Sequence, residues 1–185
     1  MSTGAEPVLT LEPFIEGIRS GLEGSGWVLS GLQKTTSHEF AGRWAGESTR
    51  SAYLFFHRPA GPDGVGVEAF LDETTGGMQG NVSLVLDGPG GDRLGDAHAA
   101  LAAAVAAARR RVERAFRVSV SLKLRADDGA ADGARVTSEL RIKVRVPQQA
   151  LRSGVAAVAD HAARFVRSFE RLLEDPELGR YSESQ

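Results

Sequence analysis

The chain has 185 residues, 42% hydrophobic and 25% charged, an ordinary balance for a globular domain and a length that buries most of its apolar surface unaided. It contains no Cys, which excludes disulfides, thiolate zinc sites and cysteine nucleophiles and fits a reducing, cytoplasmic compartment. The net charge of −2 is unevenly spread: residues 1–100 hold 6 Lys/Arg against 13 Asp/Glu, residues 101–185 hold 16 against 11, so the halves form either opposite faces or a neutralising internal interface.

Met1 to Pro7 has no basic residue and no apolar core, so it does not read as a secretory signal. Residues 10–23 then read as an amphipathic helix. Leu11, Phe14, Ile15, Ile18 and Leu22 recur at three- and four-residue spacing, Thr10 caps, and Gly24-Ser25-Gly26 terminates. A strand-rich block follows: Trp27 to Leu32, Glu39 to Ala45, Arg50 to His57, Val65 to Leu71 and Asn81 to Leu86, separated by turn residues such as Pro59 to Gly64. Strands joined so closely pair antiparallel.

Asp96 caps a second helix, expected over 97–116, with Leu101, Val105, Ala108, Val112 and Phe116 as its buried stripe. This Ala-rich run is interrupted by His98 and ends in Arg109-Arg110-Arg111, too short and polar to cross a membrane. Two alternating strands follow. Val118, Val120, Leu122 and Leu124 face inward from the first, and Val136, Leu140, Ile142, Val144 and Val146 from the second. The loop 126–134 between them is Asp- and Gly-rich and reads as exposed. Pro147 opens one last helix at its first position, whose apolar seam runs unbroken from Leu151 to Leu172 and which stops before Pro176.

These elements predict one α+β domain over residues 8–175, with an antiparallel sheet, three helices packed on it, and flexible termini at 1–7 and 177–185. In element order the chain is similar to the small secretion-chaperone-like α/β fold, with more strands ahead of the second helix. That resemblance implies non-catalytic binding of extended partner segments and dimerisation. High Ala, Gly and Arg with few Lys reads as the codon usage of a GC-rich bacterial genome.

Motif by motif, no catalytic, cofactor or metal site emerges. The loop Gly88 to Gly95 sits between strand and helix, where a phosphate loop belongs, but Arg93 stands where the last glycine is needed and no Gly-Lys-Ser/Thr follows. His38, His57, His98 and His161 form no metal-binding spacing. Gly24-Ser25-Gly26 is not a nucleophile elbow, because Glu23 and Trp27 occupy the flanking glycine positions. Neighbouring carboxylates Asp72 and Glu73 point to opposite faces of a strand.

Two surfaces remain as candidates for binding a partner. The outward face of the last two strands presents Arg117, Lys123, Arg125, Arg141, Lys143 and Arg145 against the single acid Glu139, beside Arg109, Arg110, Arg111 and Arg114 of the second helix. It carries no aromatic residue for base stacking, which disfavours a nucleic-acid sheet. The charge of this face is answered by the acidic half of the chain, by water and counterions, or by an acidic partner: reversing Arg141 and Lys143 should destabilise the fold in the first case and leave stability unchanged, the favoured outcome, in the other two. The strand segment Tyr53-Leu54-Phe55-Phe56 is apolar on both sides: either helices cover both, the favoured reading, or Tyr53 and Phe55 form an exposed patch. The sequence thus predicts a non-enzymatic protein-binding module, chaperone-like or adaptor-like and homodimeric, with no cofactor. The alternatives are a nucleic-acid-associated protein using the basic face, and a ligand-binding or enzymatic domain with a pocket lined by His57 or Asp72.

Overall fold

The computed structural model describes residues 11–37, 49–74, 77–89, 94–127 and 135–178. In chain order these form α1 (Leu11–Glu23), β1 (Val28–Ser37), β2 (Thr49–His57), β3 (Val65–Thr74), β4 (Gly77–Pro89), α2 (Leu94–Arg111), β5 (Val118–Asp127), β6 (Arg135–Arg145), α3 (Gln148–Ser153) and α4 (Val155–Leu173). The strand expected over Glu39 to Ala45 lies outside the described residues. The fold is α+β, with one six-stranded sheet ordered β1-β2-β3-β4-β6-β5 and every neighbouring pair antiparallel. The strands before α2 form a meander. After α2, β6 takes the place beside β4, leaving β5 at the edge.

Alternation along the strands sorts the side chains into two faces. Leu54, Ala69, Val82, Val144 and Val118 stand in one row across five strands, and Phe56, Val67, Leu84, Ile142 and Val120 in the next. These rows belong to one core with Phe14, Ile15, Ile18 and Leu22 of α1, Ala104, Ala107 and Ala108 of α2, and Val158, Ala162, Phe165, Phe169 and Leu172 of α4. The helices therefore cover this face.

The tightest helix contact is between α1 and α4. A Cβ at Gly21 would lie 2.4 Å from the Ala159 carbonyl oxygen, and one at Gly17 2.9 Å from Val155 Cγ1, so only glycine allows this approach. Polar ties lock the outside of the same layer: Glu12 of α1 accepts from Arg50, and Arg58, which also stacks over Trp27, pairs with Glu170 of α4.

Three expectations need correction. The last helix is two. Gly154, with φ +100°, turns the chain between α3 and α4, and Pro147 is the extended cap rather than the first helical residue. The three-four apolar spacing hid the break because Leu151 and Val158 reach the core from either side of it. The second helix ends at Arg111, and Val112 and Phe116 are buried from the turn that follows. Its covered stripe is Ala104, Ala107 and Ala108, with Leu101 and Val105 only half-covered, because the small side chains let the helix sit close. Leu178, in the tail expected to be flexible, is buried in the core. Asp175, 2% exposed, accepts from Arg110 and Arg111 of α2, which outweighs its burial and lowers its carboxyl pKa.

Phe165→Ala is expected to cost about 3–5 kcal/mol by leaving a cavity among α4, Phe116 and the sheet. Gly21→Ala should cost about 1–3 kcal/mol by forcing α1 from α4. Urea unfolding of both variants checks this; wild-type midpoints would contradict the assigned packing.

Candidate binding surface

Among the described residues no helix lies on the other face of the sheet. Its positions are half- or fully exposed except Ser83 and Val85, in the central strand β4, which their strand neighbours shield. The candidate residues picked from the strands, Tyr53 and Phe55 as well as the six cations of the last hairpin, all lie on this one face. In register across it run Tyr53, Phe70, Asn81 and Arg145, with Arg117 beside Arg145 and accepting its N–H. The next row is Phe55, Glu68, Ser83, Lys143 and Ser119. At the usual strand spacing, Tyr53 and Arg117 stand roughly 19 Å apart.

The β2–β3 side is aromatic. Tyr53, 40% exposed, packs its ring 4.7 Å from that of Phe70, and the Phe55 ring lies over Gly31 of β1, where a Cβ would be 3.4 Å away. The expectation that helices cover both sides of this segment is overturned: Leu54 and Phe56 turn to the core, Tyr53 and Phe55 to the open face. The same arrangement corrects the view that the cations share their face with no aromatic. Phe70 was missed because its place beside Tyr53 depends on the β2–β3 register. Ser51 and Gln79 both donate to Asp72 and close this side with a polar row.

The β6–β5 side is basic. Arg117, Lys123, Arg125, Lys143 and Arg145 are exposed, whereas Arg141 is half-buried and held, donating to Glu68 at 2.6 Å and Glu139 at 3.1 Å. Burial disfavours the Arg141 cation, but the two carboxylates prevail and raise its pKa. Glu68 belongs to the acidic half of the chain, so Arg141 is neither merely solvated nor free. Arg125 stands 3.9 Å from Glu139. Among the described residues Arg117, Lys143 and Arg145 have no ion-pair partner. With Asn81, Val118 and Ser119 they line a cleft of about 310 Å³. The arginines of α2 divide: Arg110 and Arg111 bind Asp175, while Arg109 and Arg114 border a second groove. That groove, about 550 Å³, lies between the end of α2 and β5, with Val105, Ala108, Val112, Phe116, Val118 and Val120 as its apolar walls.

Neither His57 nor Asp72 lines these two concavities. His98 is exposed on α2, and His161 packs against Phe116 and Phe165 with Nδ1 2.9 Å from the Ala157 carbonyl. His38 and residues 90–93 of the glycine-rich loop lie outside the described residues. Among the described residues no group of three or more His, Asp or Glu is placed to hold a metal, and no helix is long and apolar enough to cross a membrane. No protein-family model matches the chain, and no curated protein or solved structure matches it either.

The Arg141 contacts reverse the expected outcome of a charge reversal. Arg141→Glu should cost about 1–3 kcal/mol, because it sets a third carboxylate against Glu68 and Glu139. Lys143→Glu should stay within about 0.5 kcal/mol of wild type. Denaturant melts of the two single variants separate these outcomes. Burial, then Glu139 and Glu68, push the Asp87 carboxyl above its ordinary pKa. Its ionised form therefore destabilises the fold above the raised pKa, and the penalty is gone once pH falls below the unfolded-state value. Asp87→Asn should be more stable than wild type at pH 7, and the difference should shrink toward pH 3 in paired melts.

Proposed function

We propose that the protein is a non-enzymatic binding module, chaperone-like or adaptor-like, that holds an extended segment of another protein on the open sheet face. One observation carries the reading: an aromatic patch of Tyr53, Phe55 and Phe70 and an unpaired cationic cluster of Arg117, Lys143 and Arg145 share that face. An extended chain crossing the roughly 19 Å between them spans about six residues. The matching segment has an aromatic or large aliphatic side chain at one end and carboxylates at the other. Aromatic contacts supply affinity by desolvation, and the cations set orientation and association rate.

Aromatics beside cations are also what a sheet uses to bind single-stranded nucleic acid. Against that reading, Glu68, Asp72, Asp87 and Glu139 stand on the same face, where a phosphate backbone would meet them. A mixed-charge protein segment is the better complement.

The test is selection from a displayed random-peptide library. Enriched peptides should carry an apolar anchor about six residues from an acidic cluster. Binding should fall about tenfold, equivalent to 1.4 kcal/mol, both in Lys143→Glu/Arg145→Glu and in Tyr53→Ser/Phe70→Ser. Enrichment of unrelated peptides, or binding indifferent to both variants, would reject the reading. Tighter, salt-sensitive binding of a single-stranded oligonucleotide would replace it with the nucleic-acid one.

A further inference from the structure

The two edges of the sheet are built differently. β1 carries two devices that discourage pairing: a register shift between Leu29 and Gly31, and an inward-pointing Lys34 that lies 3.9 Å from Glu12. β5 carries neither. Its pairing with β6 runs without a shift from Val118 to Asp127, and its inward positions through residue 126 are Val118, Val120, Leu122, Leu124 and Ala126. That apolar row is incompletely covered. Leu140, Ile142 and Val144 on β6 are fully buried, while Val118, Val120 and Leu122 are half-buried and Leu124 is 40% exposed. The groove between α2 and β5 runs along the same strand.

The backbone is oriented to accept another strand. Arg145 donates its N–H to the Arg117 carbonyl directly across the pair, so the odd-numbered residues of β5 bond to β6. The even-numbered residues consequently direct their N–H and C=O groups to the free edge. These are the same residues whose side chains form the half-covered apolar row.

We propose that a second copy of the chain docks at this edge, its β5 antiparallel to the first, about a twofold axis at Leu122. The half-covered apolar row, which meets its own copy across a twofold axis, selects the occupant, and charge selects the register. On the outer face β5 presents Arg117, Lys123 and Arg125, and like charges directly opposite one another destabilise a strand pair. A twofold at residue 121 sets Arg117 against Arg125. One at 123 sets Lys123 against itself, one at 120 sets Arg117 against Lys123, and one at 124 sets Lys123 against Arg125. Of the five axes from 120 to 124, which pair the most of β5, only that at 122 avoids every such clash: Arg117, Lys123 and Arg125 then face positions 127, 121 and 119 of the second copy, none of them basic. On the inner face it pairs Val120 with Leu124 and Leu122 with Leu122, joining the two apolar rows. The pairing uses the edge of the sheet, and the variants that test it are distinct from those that test binding on the open face.

The absence of cysteine makes the register readable. Light scattering of the wild-type protein at micromolar concentration should give twice the 19.6 kDa chain mass. Leu122→Cys should crosslink to a covalent dimer under mild oxidation, since hydrogen-bonded antiparallel partners lie about 5.5 Å apart at Cα, within disulfide reach. Val120→Cys and Leu124→Cys should each stay uncrosslinked, their twins being offset by four residues, about 13 Å along the strand. The double Val120→Cys/Leu124→Cys should crosslink, which reads the register even if the Leu122 variant folds poorly. A wild-type monomer overturns the proposal. So does a dimer in which Val120→Cys or Leu124→Cys crosslinks alone, or in which neither Leu122→Cys nor the double variant does.

Discussion

Two glycines set how closely α1 and α4 can lie. With hydrogen in place of Cβ at Gly17 and Gly21, α1 rests directly on the backbone of α4 at Val155 and Ala159. The paired helices make one roof, whose Phe14, Ile18, Phe165 and Phe169 bury the inward side chains of the sheet. The turn at Gly154 serves the same geometry, because it allows α4 to leave the direction of α3 and lie along α1. The remaining cover comes from α2, whose alanines pack closely at the β6–β5 end.

A roof on one side leaves the other side bare, and that decides what the bare side must be made of. Isolated aromatics on an open sheet are stabilised by each other and by neighbouring backbone, as Tyr53 on Phe70 and Phe55 over Gly31 show. Isolated cations are tolerated where water and counterions reach them, as at Arg117, Lys143 and Arg145. Between these halves, Arg141 reaches across the shielded Val85 and Ser83 of β4 to Glu68, fastening the basic half to the acidic one.

The charge asymmetry of the sequence thus resolves into both of its readings at once. Arg141 with Glu68 and Arg58 with Glu170 join opposite halves of the chain. Arg110 and Arg111 with Asp175, and Arg164 with Glu113, are consumed inside the basic half to lock α2, the turn after it and α4 together. Of the cations left without an ion pair among the described residues, Arg117, Lys143 and Arg145 are clustered at one end of the open face. A count of charges along the chain records the surplus but not its location, because each long side chain has several carboxylates within reach and geometry chooses among them.

By itself the sequence determined the order of the described strands and helices and, for α1, β5 and β6, which side turns to the core. Period-two alternation and three-four seams are local, and each residue's burial preference is written in its own side chain. It also determined that Lys143 and Arg145 share a face with Arg117, since they sit on one hairpin. The tertiary structure alone decided that β6 inserts beside β4, that β5 becomes an edge, and that the aromatic and basic surfaces lie on one uncovered face. It alone decided that a glycine splits the last helix. Strand order and helix breaks are set by hydrogen bonds and packing between segments distant in sequence, and no local period carries that information.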